Sequence, residues 1–312
     1  MLKTGRTYLA ATAVVLALAA TGCGTKNGTG TGDPTAVPTG ATSAAPTAQA
    51  VEVAPAALLK LVGEKTSAAK SAKVEGVTEL PTGKTAMRGS ISWDNGLQGE
   101  LTGNAGGPMA DALAKAGGDG TFTARYLSDA MYINMGDGMA SQLGGAHWIR
   151  YGYADLAKLM GPAGDSLKQQ LQNADPVNSV RALIASGQVT KAGTEDVNGT
   201  KATRYTGDLS AAEITQAAAT GLTQEQIDGL QKQFKAAGIS TEHIEVWVSS
   251  DNLLVKKVEQ IQTTAGTVTS TAQYSDYGTS AAVKAPGRTD TVDFAELMKG
   301  AQGAAGGSAP TS

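Results

Sequence analysis

The chain has 312 residues, a formal net charge of −3 and 17% charged residues, so it lacks the basic excess that a nucleic-acid partner requires. Aromatic residues make up only 4% and glycine fills 40 positions, which allows a packed core but not one rich in large rings. A lone cysteine excludes an intrachain disulfide, and two isolated histidines offer no zinc-ligand spacing.

The first elements are targeting signals. Lys3 and Arg6 carry positive charge, Tyr8 to Ala20 is uncharged and mostly apolar, and small residues then lead to Cys23. That is the layout of a secretory signal peptide, with an apolar run too short for a membrane-spanning helix of about 20 residues. The stretch "AATGC" also resembles the lipobox of bacterial lipoproteins. The resemblance implies cleavage between Gly22 and Cys23 and a diacylglyceryl group on the Cys23 thiol. Each buried methylene contributes about 0.8 kcal/mol, so two or more chains anchor stably. The expected location is the extracytoplasmic face of the cell membrane, lipid-anchored.

Residues 23–50 read as the lipidated N-terminus and a disordered linker, because Gly, Thr, Ala, Pro and Ser there cannot bury enough surface to offset ordering entropy. Residues 51–298 read as one domain, and residues 299–312, "KGAQGAAGGSAPTS", as a disordered tail.

Within the domain, Leu58, Leu59, Val62 and Thr66 recur at helical spacing, with Pro55 suited to the first turn. Met87, Gly89, Ile91 and Trp93 alternate with polar residues, and Asp94-Asn95-Gly96 marks a hairpin turn before "GLQGEL". Phe122, Ala124 and Tyr126 share a strand face, then Met131, Ile133 and Met135 do, and "HWIRYGY" closes the run. Helical patterns follow over 154–160, 166–173 and 178–186, then a hairpin turning at Asn198-Gly199. Ser210 caps one helix and Thr223 another, the second ending at Gly238. A hairpin around Ser250-Asp251-Asn252 and one more strand end the domain. Strand–helix–strand alternation does not repeat, so a parallel sheet is not expected. The fold class is α+β: a long, curved antiparallel sheet with helices packed on its concave side.

The segments "GSISWD", "DAMYINM…HWIRY", "DVNGTKATRYTGDLS" and "IEVWVSSDNLLVKKVE" in this order resemble the LppX/LprA/LprF/LprG lipoprotein family, whose fold is similar to the carrier LolA. The resemblance implies a half-barrel sheet cupped around helices, with an apolar cavity for the acyl chains of a lipid, and neither catalytic residues nor a cofactor. A curved sheet with an apolar concave face must have that face covered, and loose cover leaves a pocket. Met87, Ile91, Trp93, Met131, Ile133, Met135, Ile244, Val246 and Val248 are the cavity candidates. Methionine suits a surface that accepts variable chains. The expected partners are the membrane, through Cys23, and a hydrophobic or lipid ligand. The other reading is a non-catalytic envelope interaction or sensor module with a filled core.

Three motifs imitate enzymes. Gly164-Asp165-Ser166-Leu167 spells a hydrolase block, but Pro162-Ala163 precede it, a helical pattern follows, and neither His147 nor His243 lies in an Asp-x-x-His. Ser67-Ala68-Ala69-Lys70 and Ser250-Asp251-Asn252 imitate the penicillin-binding set without its Lys-Thr-Gly strand. "GTGTG" over 28–32 lacks the strand and helix that frame a phosphate loop.

Overall fold

The structure, a computed structural model, describes residues 54–115, 117–161, 164, 168, 171, 174–218 and 223–306. The signal-peptide, Gly22/Cys23 and linker readings fall outside the described residues, as do Asp165 and Ser166.

Helix α1 (Pro55–Ala69) begins with its proline in the first turn and stops where Lys70 adopts a left-handed conformation with φ of 64°. Leu59, Val62 and Thr66 form its buried stripe. The Thr66 hydroxyl accepts a hydrogen bond from the Leu254 backbone N–H at 3.1 Å, which ties α1 to the sheet it covers.

The chain then builds β1 (Ser71–Leu80), β2 (Gly83–Ser92), β3 (Gln98–Asn104), α2 (Gly107–Lys115), β4 (Thr121–Tyr126) and β5 (Ala130–Asn134). A short α3 (Asp137–Ala140) precedes β6 (Trp148–Gly152) and α4 (Tyr153–Met160). Helix α5 (Asn178–Ala185) leads into the hairpin β7 (Thr190–Val197) and β8 (Thr200–Ser210). Helices α6 (Ala211–Ala218) and α7 (Gln224–Ala237) come before β9 (Thr241–Ser249), β10 (Leu254–Thr263) and β11 (Gly266–Ser275). The chain ends with β12 (Thr291–Asp293) and α8 (Phe294–Gly306). At the start of α6, the Ser210 hydroxyl and the Glu213 carboxylate each accept a hydrogen bond from the other's backbone N–H, a capping box.

All twelve strands form one unclosed, curved sheet in the order β12-β6-β5-β4-β3-β2-β1-β11-β10-β9-β8-β7. Neighbours are antiparallel except β12, which pairs parallel to β6 with Thr291 opposite Trp148. This exception to the antiparallel expectation follows from the path of residues 276–290. They leave β11 beside β1, where Gly278 N–H donates to Ser71 O at 2.9 Å. They pass β4, where Arg125 donates to Lys284 O at 3.4 Å, and reach His147, whose N–H donates to Asp290 Oδ1 at 3.0 Å. This strap crosses the face opposite the core and delivers β12 to the far edge.

The backbones of β2 and β3 approach each other closely at two glycines. A Cβ on Gly89 would stand 1.9 Å from Glu100 O, and one on Gly99 would stand 2.1 Å from Ser90 O. Only glycine allows the two backbones to curl together this closely.

Helix α8 runs through Gly306, beyond residue 298 where the sequence reading ends the domain. Phe294 at its start stacks on Tyr151 with centroids 4.8 Å apart, which anchors the helix to β6.

Candidate ligand-binding face

Registered partners on neighbouring strands share a sheet face, so the pairings lay out the helix-covered side in transverse rows. One row runs Ala72, Ile91, Gly99, Tyr126, Met131, Tyr151 from β1 to β6. The next runs Val74, Gly89, Leu101, Ala124, Ile133, Ile149. A third runs from β8 to β4: Tyr205, Val246, Lys257, Ala272, Gly76, Met87, Gly103, Phe122.

These rows separate the nine cavity candidates into two groups. Ile244, Val246 and Val248 are 1%, 0% and 3% exposed and pack in one cluster with Leu59 and Val62 of α1 and Val180 and Leu183 of α5. Met87 and Trp93 are buried in the same cluster. The Trp93 indole N–H donates to Ser67 O at 3.2 Å, and its ring meets Tyr277 edge-on. Ile91 and Met131 are only half-buried against this cluster, and Ile133 is half-buried in the row beside it. Met135 is half-buried but lies past the end of β5, so the strand pleat does not set its direction and its expected alternation with Met131 and Ile133 stops at Asn134.

The β8–β11 half of the same face contains a polar group that the hydrophobic pattern conceals. Lys257 and Glu259 alternate with apolar residues along β10, yet both point to the helices and are 2% and 5% exposed. The Lys257 ammonium donates to both Glu259 carboxylate oxygens and to Ser179 Oγ of α5, each at 3.1 Å. Ser179 Oγ donates in turn to Glu259 Oε1. Glu242 lies opposite Ile261 and is 5% exposed. Burial first, then the Glu259 charge, pushes its carboxyl up to about 8, against a smaller opposing pull from Lys257. The signal in the sequence is "VKKVEQIQ": charges at 257 and 259 with the parity of a buried face.

The β2–β6 half contains a different anomaly. Tyr153, the first residue of α4, is 3% exposed and its hydroxyl has no hydrogen-bond partner among the described residues. Burial, the nearby Tyr126 phenol and Asp129 all raise its pKa, so it stays protonated.

The opposite face carries two small buried apolar clusters, Ala130, Tyr132 and Trp148 on β5–β6 and Ala202, Trp247 and Val258 on β8–β10, and is polar between them at β2–β3. A groove of about 260 Å³ lies there between the strap at Ser280–Ala282 and Arg88, Ser90, Glu100 and Thr102 of β2 and β3. Its lining suits water and ions better than acyl chains. Arg125 also faces this side, with its guanidinium 4.5 Å from the Trp148 ring and 2.5 Å from Glu100.

Among the described residues, the penicillin-binding look-alikes serve the fold. Ser67 Oγ donates to Asp175 at 2.8 Å and accepts from Arg181 at 3.0 Å, while Lys70 pairs with Asp94 at 2.9 Å, so the Ser67–Lys70 pair is not assembled. Ser250-Asp251-Asn252 is a turn with Asn252 at φ of 60°. His147 binds Asp290 near the sheet edge, and His243 binds Asp208 on the β8–β9 pair. Among the described residues no helix is long and apolar enough to cross a membrane.

The chain is 47% identical over 250 residues to a 31.2 kDa Streptomyces griseus protein of the rplA-rplJ intergenic region, covering 80% of this chain and 82% of that one. It is 34% identical over 242 residues to the Streptomyces coelicolor chain named "Putative lipoprotein SCO4650", covering 77% of this chain and 75% of that one. The chain belongs to the lipoprotein family of these Streptomyces proteins. No protein-family model matches it. Among solved structures it is similar to LprF of Mycobacterium bovis, with 18% identity, a TM-score of 0.40, and coverage of 74% of this chain and 95% of that one. It is also similar to lipoprotein LppX of Mycobacterium tuberculosis, with 15% identity, a TM-score of 0.41, and coverage of 74% and 100%. Both are members of the group that the sequence resembles; likeness at these scores carries no functional weight.

Proposed function

We propose that this protein is an extracytoplasmic lipoprotein, held at the membrane through Cys23, that binds the acyl chains of a lipid or similar amphiphile against the helix-covered face of β2–β6. One observation supports this location above others. On a single continuous face, the β8–β11 half is sealed by α1 and α5, while Ile91, Phe122, Met131, Ile133 and Tyr151 on the β2–β6 half stay only half-buried. Half-buried apolar side chains in adjoining rows form a surface that an acyl chain can cover. Transfer from bilayer to such a surface has little net free-energy change, because both environments are apolar. Binding and release of the chain suffice, with no bond made or broken. The test is native mass spectrometry of the Cys23→Ser protein secreted and purified from its native host. Co-purified lipid is the expected result; a protein carrying none would contradict the proposal.

A second reading, a non-catalytic envelope interaction or sensor module, draws on the Lys257–Glu259–Glu242 group, which fills half of the face with side chains of its own. Cross-linking on intact cells separates the two. A stable protein partner together with an empty site favours the module.

A further inference from the structure

The Tyr153 hydroxyl is the feature of the β2–β6 half that the fold itself leaves unexplained. A buried hydroxyl without a partner costs about 1–3 kcal/mol, and such a group calls for a specific cause. Tyr153 is placed firmly: its backbone N–H donates to Asp129 O at 3.0 Å, which fixes the first turn of α4 against the β4–β5 turn. It follows directly on Gly152, which pairs with Ala130 one step beyond the Tyr151–Met131 pair, and Tyr126 stands opposite Met131 in that same half-buried row. The donor therefore sits at the edge of the apolar surface described above.

We propose that the Tyr153 hydroxyl is the polar contact of this site, donating a hydrogen bond to a neutral carbonyl oxygen, such as an ester or amide, at the root of a bound acyl chain. This rests on the lipid-binding reading and narrows it to a class of ligand. The local charges decide between a neutral carbonyl and a free carboxylate. Asp129 bears on the Tyr153 phenol, and the nearby cation, Arg150, is shared among Asp129 at 3.5 Å, Asp155 at 3.6 Å and Asp293 at 2.7 Å. An anionic headgroup at Tyr153 would meet a carboxylate and an arginine that three aspartates already neutralise. A neutral carbonyl meets only the donor it needs.

The test is fluorescence titration of the Cys23→Ser protein with three probes sharing one pyrene-labelled long alkyl chain: a methyl ester, a free carboxylic acid and the plain hydrocarbon. One hydrogen bond of about 1 kcal/mol is roughly a fivefold change in affinity. The expected result is that the ester binds about fivefold or more tighter than the hydrocarbon and the acid, and that Tyr153→Phe removes the ester's advantage while hydrocarbon affinity stays unchanged. An ester-to-hydrocarbon ratio that Tyr153→Phe leaves intact overturns the assignment, as does preferential binding of the acid. If none of the probes binds, the lipid-binding reading itself fails, a result distinct from failure of the Tyr153 assignment. Tyr153→Phe keeps the ring and removes an unpartnered hydroxyl, so thermal unfolding of the unliganded variant should occur at or above the parent temperature. A large drop there would show that the hydroxyl has a structural partner, and would also overturn the proposal.

Discussion

Replacing Lys257 by methionine probes the least expected feature of the fold. Lys257 is 2% exposed and Glu259 5% exposed, and the ammonium contacts both Glu259 oxygens and Ser179 at 3.1 Å. Methionine fills much of the same space but leaves the Glu259 carboxylate buried with Ser179 as its remaining donor. Breaking a buried pair from one side costs about 3–5 kcal/mol, mostly the penalty of the charge left behind. Replacing both members, Lys257→Met with Glu259→Leu, removes the stranded charge and should restore stability to within about 1 kcal/mol of the parent or raise it. The assay is urea unfolding at neutral pH, followed by the fluorescence of Trp93, Trp148 and Trp247. A single variant losing less than about 1 kcal/mol, or a double variant as damaged as the single, would refute the picture of a sealed ion pair.

Three further outcomes follow from the same structure. The Glu242 carboxyl, raised from 4.5 to about 8, holds its proton in the folded state at pH values where the unfolded chain has lost it. Stability should therefore fall as pH rises from 4.5 to about 8, by up to about 5 kcal/mol. Glu242→Gln should flatten that slope and stabilise the protein most at alkaline pH, as read by denaturant midpoints across the range. His147 is raised above 6.5 by its hydrogen bond and ion pair with Asp290. The strap's clamp is thus fully charged below pH 6.5 and weakens as pH climbs through the raised value, so the protection of the Thr291–Asp293 amides, measured relative to their intrinsic base-catalysed exchange, should fall on that rise and stay flat in His147→Gln. Gly89→Ala places a Cβ 1.9 Å from Glu100 O, and should cost about 3 kcal/mol or more by forcing β2 and β3 apart; an unchanged melting temperature would show that the bend tolerates a side chain.

Most of the fold is legible because its signals are local. Asp94-Asn95-Gly96, Asn198-Gly199 and Ser250-Asp251-Asn252 mark turns by backbone preference alone, and the stripe Leu59, Val62, Thr66 fixes which face of α1 is buried. What escapes depends on distant partners. Strand β12 is three residues long and exists because the strap brings Thr291 to Trp148, which no neighbouring residue announces. Residues 299–306, the second part of α8, read as disordered tail because the anchor of the helix, Phe294 on Tyr151, is a distant contact. For the site, alternation puts Ile91, Met131, Ile133, Ile244 and Val246 on one face, but does not separate the closed half from the half-buried one. That division is set by where α1 and α5 settle. Lys257 and Glu259 escape the pattern because a lone charge in a strand usually faces solvent; only pairing against Val246 and Ile244 shows that they point inward.

The claim on which the functional proposal depends is that acyl chains lie on the β2–β6 half of the helix-covered face and not on the β8–β11 half. A diacyl lipid with a diazirine near the chain end, irradiated with the Cys23→Ser protein and mapped by peptide mass spectrometry, tests it most directly. Adducts are expected on the peptides containing Ile91, Phe122, Met131 and Ile133. Adducts confined to the peptides of Ile244, Val246 and Val248, or spread over the outer face around Arg88 and Glu100, would contradict it.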